Sequence, residues 1–143
     1  MKHLKKFNED TNNFEEELLD FCETNLAYIL DEGAQVKSIK NRWEITNHHK
    51  VEIDFTNTND GSLLWDGIKD IIIPFLIRLN NNYNVGDDVL IFYKPEKHQS
   101  SILGIDTREP LQNLINDTID WTKTYRAFKE DSKLTKIIIR IFI

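Results

Sequence analysis

The side chains best suited to chemistry in this chain are imidazoles, cations and acids gathered on extended runs. His48 and His49 stand side by side, with Lys40 and Arg42 before them and Lys50 after. A second group, Tyr93, Lys94, Lys97 and His98, follows another extended run. Adjacent histidines in an extended segment point to opposite sides, which argues against one shared metal ion, and spacing places no further ligands. A solvated turn is the plain reading of the pair; a phosphate or partner contact is the sharper one. If the two hairpins pair in one sheet, their turns can lie at the same end. Lys40, Arg42, His48, His49, Lys50, Tyr93, Lys94 and His98 would then form a basic, aromatic-flanked rim. Such a rim suits a small phosphate-bearing ligand. The bland alternative is a set of solubilising turn charges.

Glu52 and Asp54 share one side of a strand, roughly 7 Å apart. Paired acids on a sheet can hold magnesium, as in nucleases of the restriction-endonuclease type. That type needs an acid on one strand and acid-x-Lys on the next, whereas the run here is Glu52-Ile-Asp54-Phe-Thr56, with no Lys at that spacing. Surface acids paired across to Lys40 and Arg42 are the simpler reading. The phosphate-binding G-x-x-x-x-G-K-[ST], the dinucleotide G-x-G-x-x-G, H-E-x-x-H, C-x-x-C and G-x-S-x-G are all missing. This removes the recognisable classes of hydrolase and oxidoreductase that use them. No catalytic residue, metal or cofactor is assigned.

The elements that must position these residues follow from periodicity. Phe14, Leu18, Phe21/Cys22, Leu26 and Ile29/Leu30 recur at helical spacing, with Gly33 as a left-handed cap. Val36–Thr46 alternates, with Ile39, Trp43 and Ile45 on the core side, and Val51–Thr56 follows after a turn at Asn47–Lys50. A second helix, Ser62–Leu79, contains Pro74, where a kink but no break is expected. The extended runs Val89–Lys94 and Ser101–Ile105 are apolar on both sides and so need cover on both. A third helix is expected to open at Thr107–Pro110, carry the stripe Leu111 to Phe128, and cover the second face of the sheet. The chain ends in Ile137–Ile143, apolar on both parities apart from Arg140.

Two helix–hairpin units in succession predict an α+β domain. Its mainly antiparallel sheet has four to five strands in a permuted ferredoxin-like order, with an additional C-terminal helix and strand. At 143 residues and 40% hydrophobic content, residues 14–143 suit one domain behind a flexible leader, 1–13. No apolar run approaches the roughly 18–20 residues of a membrane span. The opening has no apolar stretch typical of a secretory signal, and the one cysteine, Cys22, reads as a buried core thiol. A cytoplasmic location is expected.

The net charge of −6 comes from one region. Asn8–Val36 holds nine acids and no Lys or Arg, whereas the last third, with Lys123, Arg126, Lys129, Lys133, Lys136 and Arg140, is basic. The acidic helix argues against duplex nucleic acid as a partner. It could pair with the basic segment within one fold or between copies. An exposed Ile137–Ile143 edge would be an aggregation hazard. That strand is therefore either inserted in the sheet or paired across a dimer, with Ile137, Ile139, Ile141 and Ile143 as candidate interface residues.

The opening Met-Lys-His-Leu-Lys-Lys-Phe-Asn-Glu resembles the short starts of many small tailed-phage accessory proteins. The abundance of Ile and Asn over Ala matches an AT-rich gene. Missing catalytic motifs, small size and the signs of an oligomer suggest a non-enzymatic binding factor, which with the resemblance would be a phage accessory protein acting on a host defence component, through a protein contact or by sequestering a phosphate-bearing nucleotide signal. In a phage the host cytoplasm would be its location, and a dimer or larger its state. A structural or packaged virion protein is the alternative, and an unfamiliar metal-dependent nuclease a further one.

Overall fold

A computed structural model describes residues 10–40, 48–58, 61–94, 105–119 and 133–142. Helix α1 (Asp10–Asn25) buries Leu18 and Cys22 and exposes Glu16, Glu17, Asp20 and Glu23, the outcome of apolar residues every three to four positions. It breaks at Leu26 and resumes as the one-turn α2 (Ala27–Leu30). Gly33 then turns the chain with φ 110°, its N–H bonded to the Leu30 carbonyl. A Cβ there would come within 2.7 Å of the Asn57 carbonyl oxygen, so glycine is required twice over.

Strands β1 (Gln35–Lys40) and β2 (His48–Asp54) pair antiparallel, with Val36 opposite Ile53 and Ser38 opposite Val51. After a two-residue strand β3 (Leu63–Leu64), helix α3 (Trp65–Asn82) continues without a break through Pro74. Strand β4 (Asn84–Lys94) is followed by β5 (Ile105–Pro110), the short α4 (Leu111–Ile115) and the last strand β6 (Lys133–Phe142).

The sheet order is β1-β2-β6-β4-β5, every pair antiparallel, with β3 pairing a further stretch of β6. The class is α+β. Strand β6 stands between the two hairpins because it is apolar on both sides, which only a central strand can use. Ile137, Ile139 and Ile141 face the helices and are fully buried, while Ile138 and Phe142 are half-buried on the opposite side. The residues proposed as an interface between copies are thus spent inside the chain's own core; Ile143 lies outside the described residues. Between Val85 and Val89 strand β4 bulges against β6, where Gly86 sits beside the Phe142 ring.

One core fills the space between sheet and helices. Leu18, Cys22, Leu26, Ile72, Phe75, Leu76 and Leu114 meet Val51, Ile53, Val89, Ile91 and Ile139 there. Every helix among the described residues contributes to this one layer. The expectation that the third helix covers the second face is therefore corrected for its described part: Leu111 and Leu114 of α4 enter the same core. The start of that helix is corrected too. Thr107–Pro110 continues strand β5, paired with Asp88–Ile91, and helix begins only at Leu111, where Pro110 has no N–H to offer a ladder. Residues 120–132, with the rest of the expected stripe, lie outside the described residues.

The faces of the first strand are also exchanged. The register with β2 turns Val36 and Ser38 toward the core and leaves Ile39 43% exposed. Trp43 and Ile45, whose parity suggested the opposite, lie outside the described residues.

Candidate functional site

The described residues of the expected basic rim, Lys40, His48, His49, Lys50, Tyr93 and Lys94, are not brought together. Strand β6 runs antiparallel to both β2 and β4, so β2 and β4 run parallel to each other. The turn before β2 and the turn after β4 therefore sit at opposite ends. His48, His49 and Lys50 lie opposite Phe142, Ile141 and Arg140, whereas Tyr93 and Lys94 lie opposite Leu134 and Lys133. Six to nine residue steps along β6 separate members of the two groups, about 20–30 Å in a strand. Lys40 stands in register opposite His49. Arg42 and His98 lie outside the described residues, as do the leader's first nine.

The two histidines belong to strand β2, not to a solvated turn. His49 is 0% exposed, on the core-facing row of β2. Phe14 of α1 covers its ring at 4.9 Å between centroids, and the Glu15 carboxylate lies 3.4 Å from Nδ1. His48, on the other side of the strand, is 1% exposed and packs on Phe142 at 5.5 Å. Neither ring reaches solvent. Lys50 stays half-buried on the side away from the helices, next to Arg140 in register.

The paired acids on β2 are both engaged by neighbours among the described residues. Glu52 pairs with Lys136 of the neighbouring strand at 3.5 Å. Asp54 accepts bonds from the Thr56 N–H at 2.9 Å and the Thr56 hydroxyl at 2.6 Å. Burial pushes the Asp54 carboxyl up, but those bonds, with Lys136 and Lys37 nearby, outweigh it and hold the group below the ordinary range. Among the described residues no three His, Cys, Asp or Glu side chains gather closely enough to share a metal ion.

Among the described residues a concave site lies at the other end of β6. A cavity of about 400 Å³ opens between α2, β3 and the first turns of α3. Tyr28 and Ile29 of α2 form one wall; Leu64, Ile68 and Ile71 form the other. Ser62, Glu32 and Lys133 supply its polar groups, and Gly67 lines it as well. That volume is in the range of small-ligand sites.

Its chemistry comes from how α3 begins. The sequence pattern starts this helix at Ser62, a good cap residue. Pairing with β6 draws Leu63 and Leu64 into strand instead, opposite Leu134 and Lys133. The helix is thereby delayed to Trp65, and Leu64 becomes its N-cap, with extended φ and ψ of −79° and 141° and no side-chain hydrogen bond to offer. The first N–H groups of a helix have no acceptor within it and carry the positive end of its dipole. Beside Gly67 there is open space: a Cβ built there would meet nothing within 4 Å. Ser62, displaced from the capping position, is 3% exposed, and its Oγ has no hydrogen-bond partner.

The opposite flank of the same helix start is already satisfied. Asp117 accepts bonds from Trp65 Nε1 at 2.9 Å and Lys69 Nζ at 3.0 Å, and Lys69 also pairs with Asp66 at 3.3 Å. The Trp65 bond and then the Lys69 bond hold the Asp117 carboxyl below the ordinary range. A negative group is thus held beside one side of the helix start, and the cavity lies beside the other.

Ser62, Gly67 and Lys133 line this site without having been expected as site residues: in the sequence Ser62 reads as a helix start and Lys133 as part of a basic segment. The loop Asn57–Ser62 carries the signal of a cap-rich stretch, but the shift of the cap comes from pairing with a strand seventy residues later. Comparison of the chain with protein-family models, curated proteins and solved structures finds no match.

Proposed function

We propose that this is a non-enzymatic binding protein that holds a small anionic ligand in the cavity at the start of α3. The observation that carries this reading is the coincidence of an uncapped 18-residue helix, a buried unpartnered Ser62 hydroxyl and Lys133 around one space of about 400 Å³. Helix starts are natural anion sites, because N–H groups and the dipole act together. The acids Glu52 and Asp54, engaged by Lys136 and Thr56, favour this reading over a metal-dependent nuclease.

A thermal-shift screen tests it, with cyclic dinucleotides, ADP-ribose derivatives, nucleoside monophosphates and small carboxylates as ligands. A ligand at a hundred times its Kd should raise Tm by roughly 5–10 °C for a chain of this length. Stabilisation by no anion at all defeats the proposal. The further reading, a phage factor directed at a host component, draws on the opening nine residues, which lie outside the described residues.

A further inference from the structure

The charges of the cavity narrow the kind of anion it can take. Among the described residues its lining carries one cation, Lys133, and one acid, Glu32. A ligand with two or more phosphate charges would meet one lysine and be repelled by a carboxylate. A single negative charge is different. The helix start offers the equivalent of roughly half a positive charge together with N–H donors. Ser62 adds a hydroxyl that no other group uses.

The remaining surface of the site is apolar and unusually open. Tyr28 is 66% exposed and Leu64 40% exposed, and both line the cavity with the half-buried Ile71. These side chains suit an aliphatic or aromatic body lying next to the charged group.

We infer that the site takes one carboxylate carried on an apolar body, seated at the start of α3. This inference rests on the binding role proposed above. The carboxylate is held by the α3 N–H groups, Ser62 and Lys133, the apolar body lies along Tyr28, Leu64 and Ile71, and Glu32 disfavours a second negative charge. The same chemistry is presented by a free carboxylic acid and by the C-terminal residue of a polypeptide that ends in an apolar side chain.

The test is a titration of the ¹⁵N-labelled full chain, followed by NMR, with hexanoate, N-acetyl-leucine, N-acetyl-leucinamide, an acetylated peptide ending in leucine, and AMP. The carboxylates should shift the amide signals of Asp66 and Gly67, and the amide analogue should bind at least about tenfold more weakly. Lys133→Ala should weaken the carboxylates by several-fold. Gly67→Leu should abolish binding, and its fold is checked by circular dichroism, since the new Cβ has room. Tighter binding of the peptide than of hexanoate assigns the polypeptide terminus as the source, and the reverse assigns a free acid; either supports the inference. Equal binding of the leucine acid and its amide overturns it. Tighter binding of AMP than of any carboxylate also overturns it while leaving the anion-binding role intact. If no probe moves the signals of residues 62–68, both fail.

Discussion

Strand β6 meets two different environments at its two ends. Near Phe142 it is closed: α1 lays Phe14 over His49, and His48 is packed on Phe142 itself. Near Lys133 a strand of two residues takes the place alongside β6 that β2 holds further along, and the helix that follows starts without a cap beside a cavity. The closed end holds the residues that look most reactive in the sequence. The open end holds ones that look ordinary: a serine, a glycine and a lysine. The difference teaches that residue type is a poor guide to a site unless exposure is known. A helix laid over one end removes the His49 imidazole from solvent, and at the other a two-residue strand is followed by a helix with no side-chain cap.

The contrast can be broken at the closed end first. Ile141→Ala empties a fully buried position opposite His49 and should cost about 2–5 kcal/mol, read by urea unfolding. A loss below about 1 kcal/mol would mean that this end is not sealed. Next in size is the satisfied flank of α3. Asp117→Ala removes the bonds to Trp65 and Lys69 and places alanine at φ 59°, for a cost of about 1–2 kcal/mol at pH 7. Because the folded carboxyl titrates below its ordinary value, its contribution is complete above that value and is lost as pH falls through the lowered one. The gap between wild type and Asp117→Ala should therefore narrow below about pH 4, without closing, since the backbone strain remains.

Smaller effects sharpen the open end. Ser62→Ala removes a hydroxyl that is buried without a partner, so stability should stay level or rise by up to about 1 kcal/mol while carboxylate binding weakens. A clear loss of stability would show that the hydroxyl serves the fold. Lys133→Ala changes an exposed side chain and should alter unfolding by less than about 0.5 kcal/mol. Cys22 should show no effect at all under native conditions. Burial, and secondarily Glu23, pushes its thiol up to about 12, so iodoacetamide at pH 8 should label it only after unfolding.

Much of the fold was legible because its elements are locally encoded. The 3.6-residue stripes of α1 and α3 place Leu18, Cys22, Ile72 and Leu79 in the core, and the alternation of Val51, Ile53 and Phe55 places β2. The stripe of α3 also carries the helix through Pro74, since apolar positions stay in phase on both sides of it. Less of the site was legible. Nothing local in the sequence distinguishes His48 and His49 from turn residues, since Phe14 of α1 and Phe142, which pack on them, are distant in the chain. The alternation of Ile39 with Lys40 points Ile39 to the core, although pairing with β2 selects Val36 and Ser38 instead.

What the sequence by itself determined is the α+β class, the course of the two long helices, and the need for Ile137–Ile141 to be covered on both sides. These depend on periods of two and 3.6 residues, which neighbours in sequence are enough to define. Only the tertiary structure decided that β6 enters between the two hairpins, and with it everything about the site. That choice sends the two turns to opposite ends and draws Leu63 and Leu64 out of helix into strand. It thereby leaves α3 beginning at Trp65 without a side-chain cap, because a cap is lost when a distant strand competes for the residues that would have supplied it.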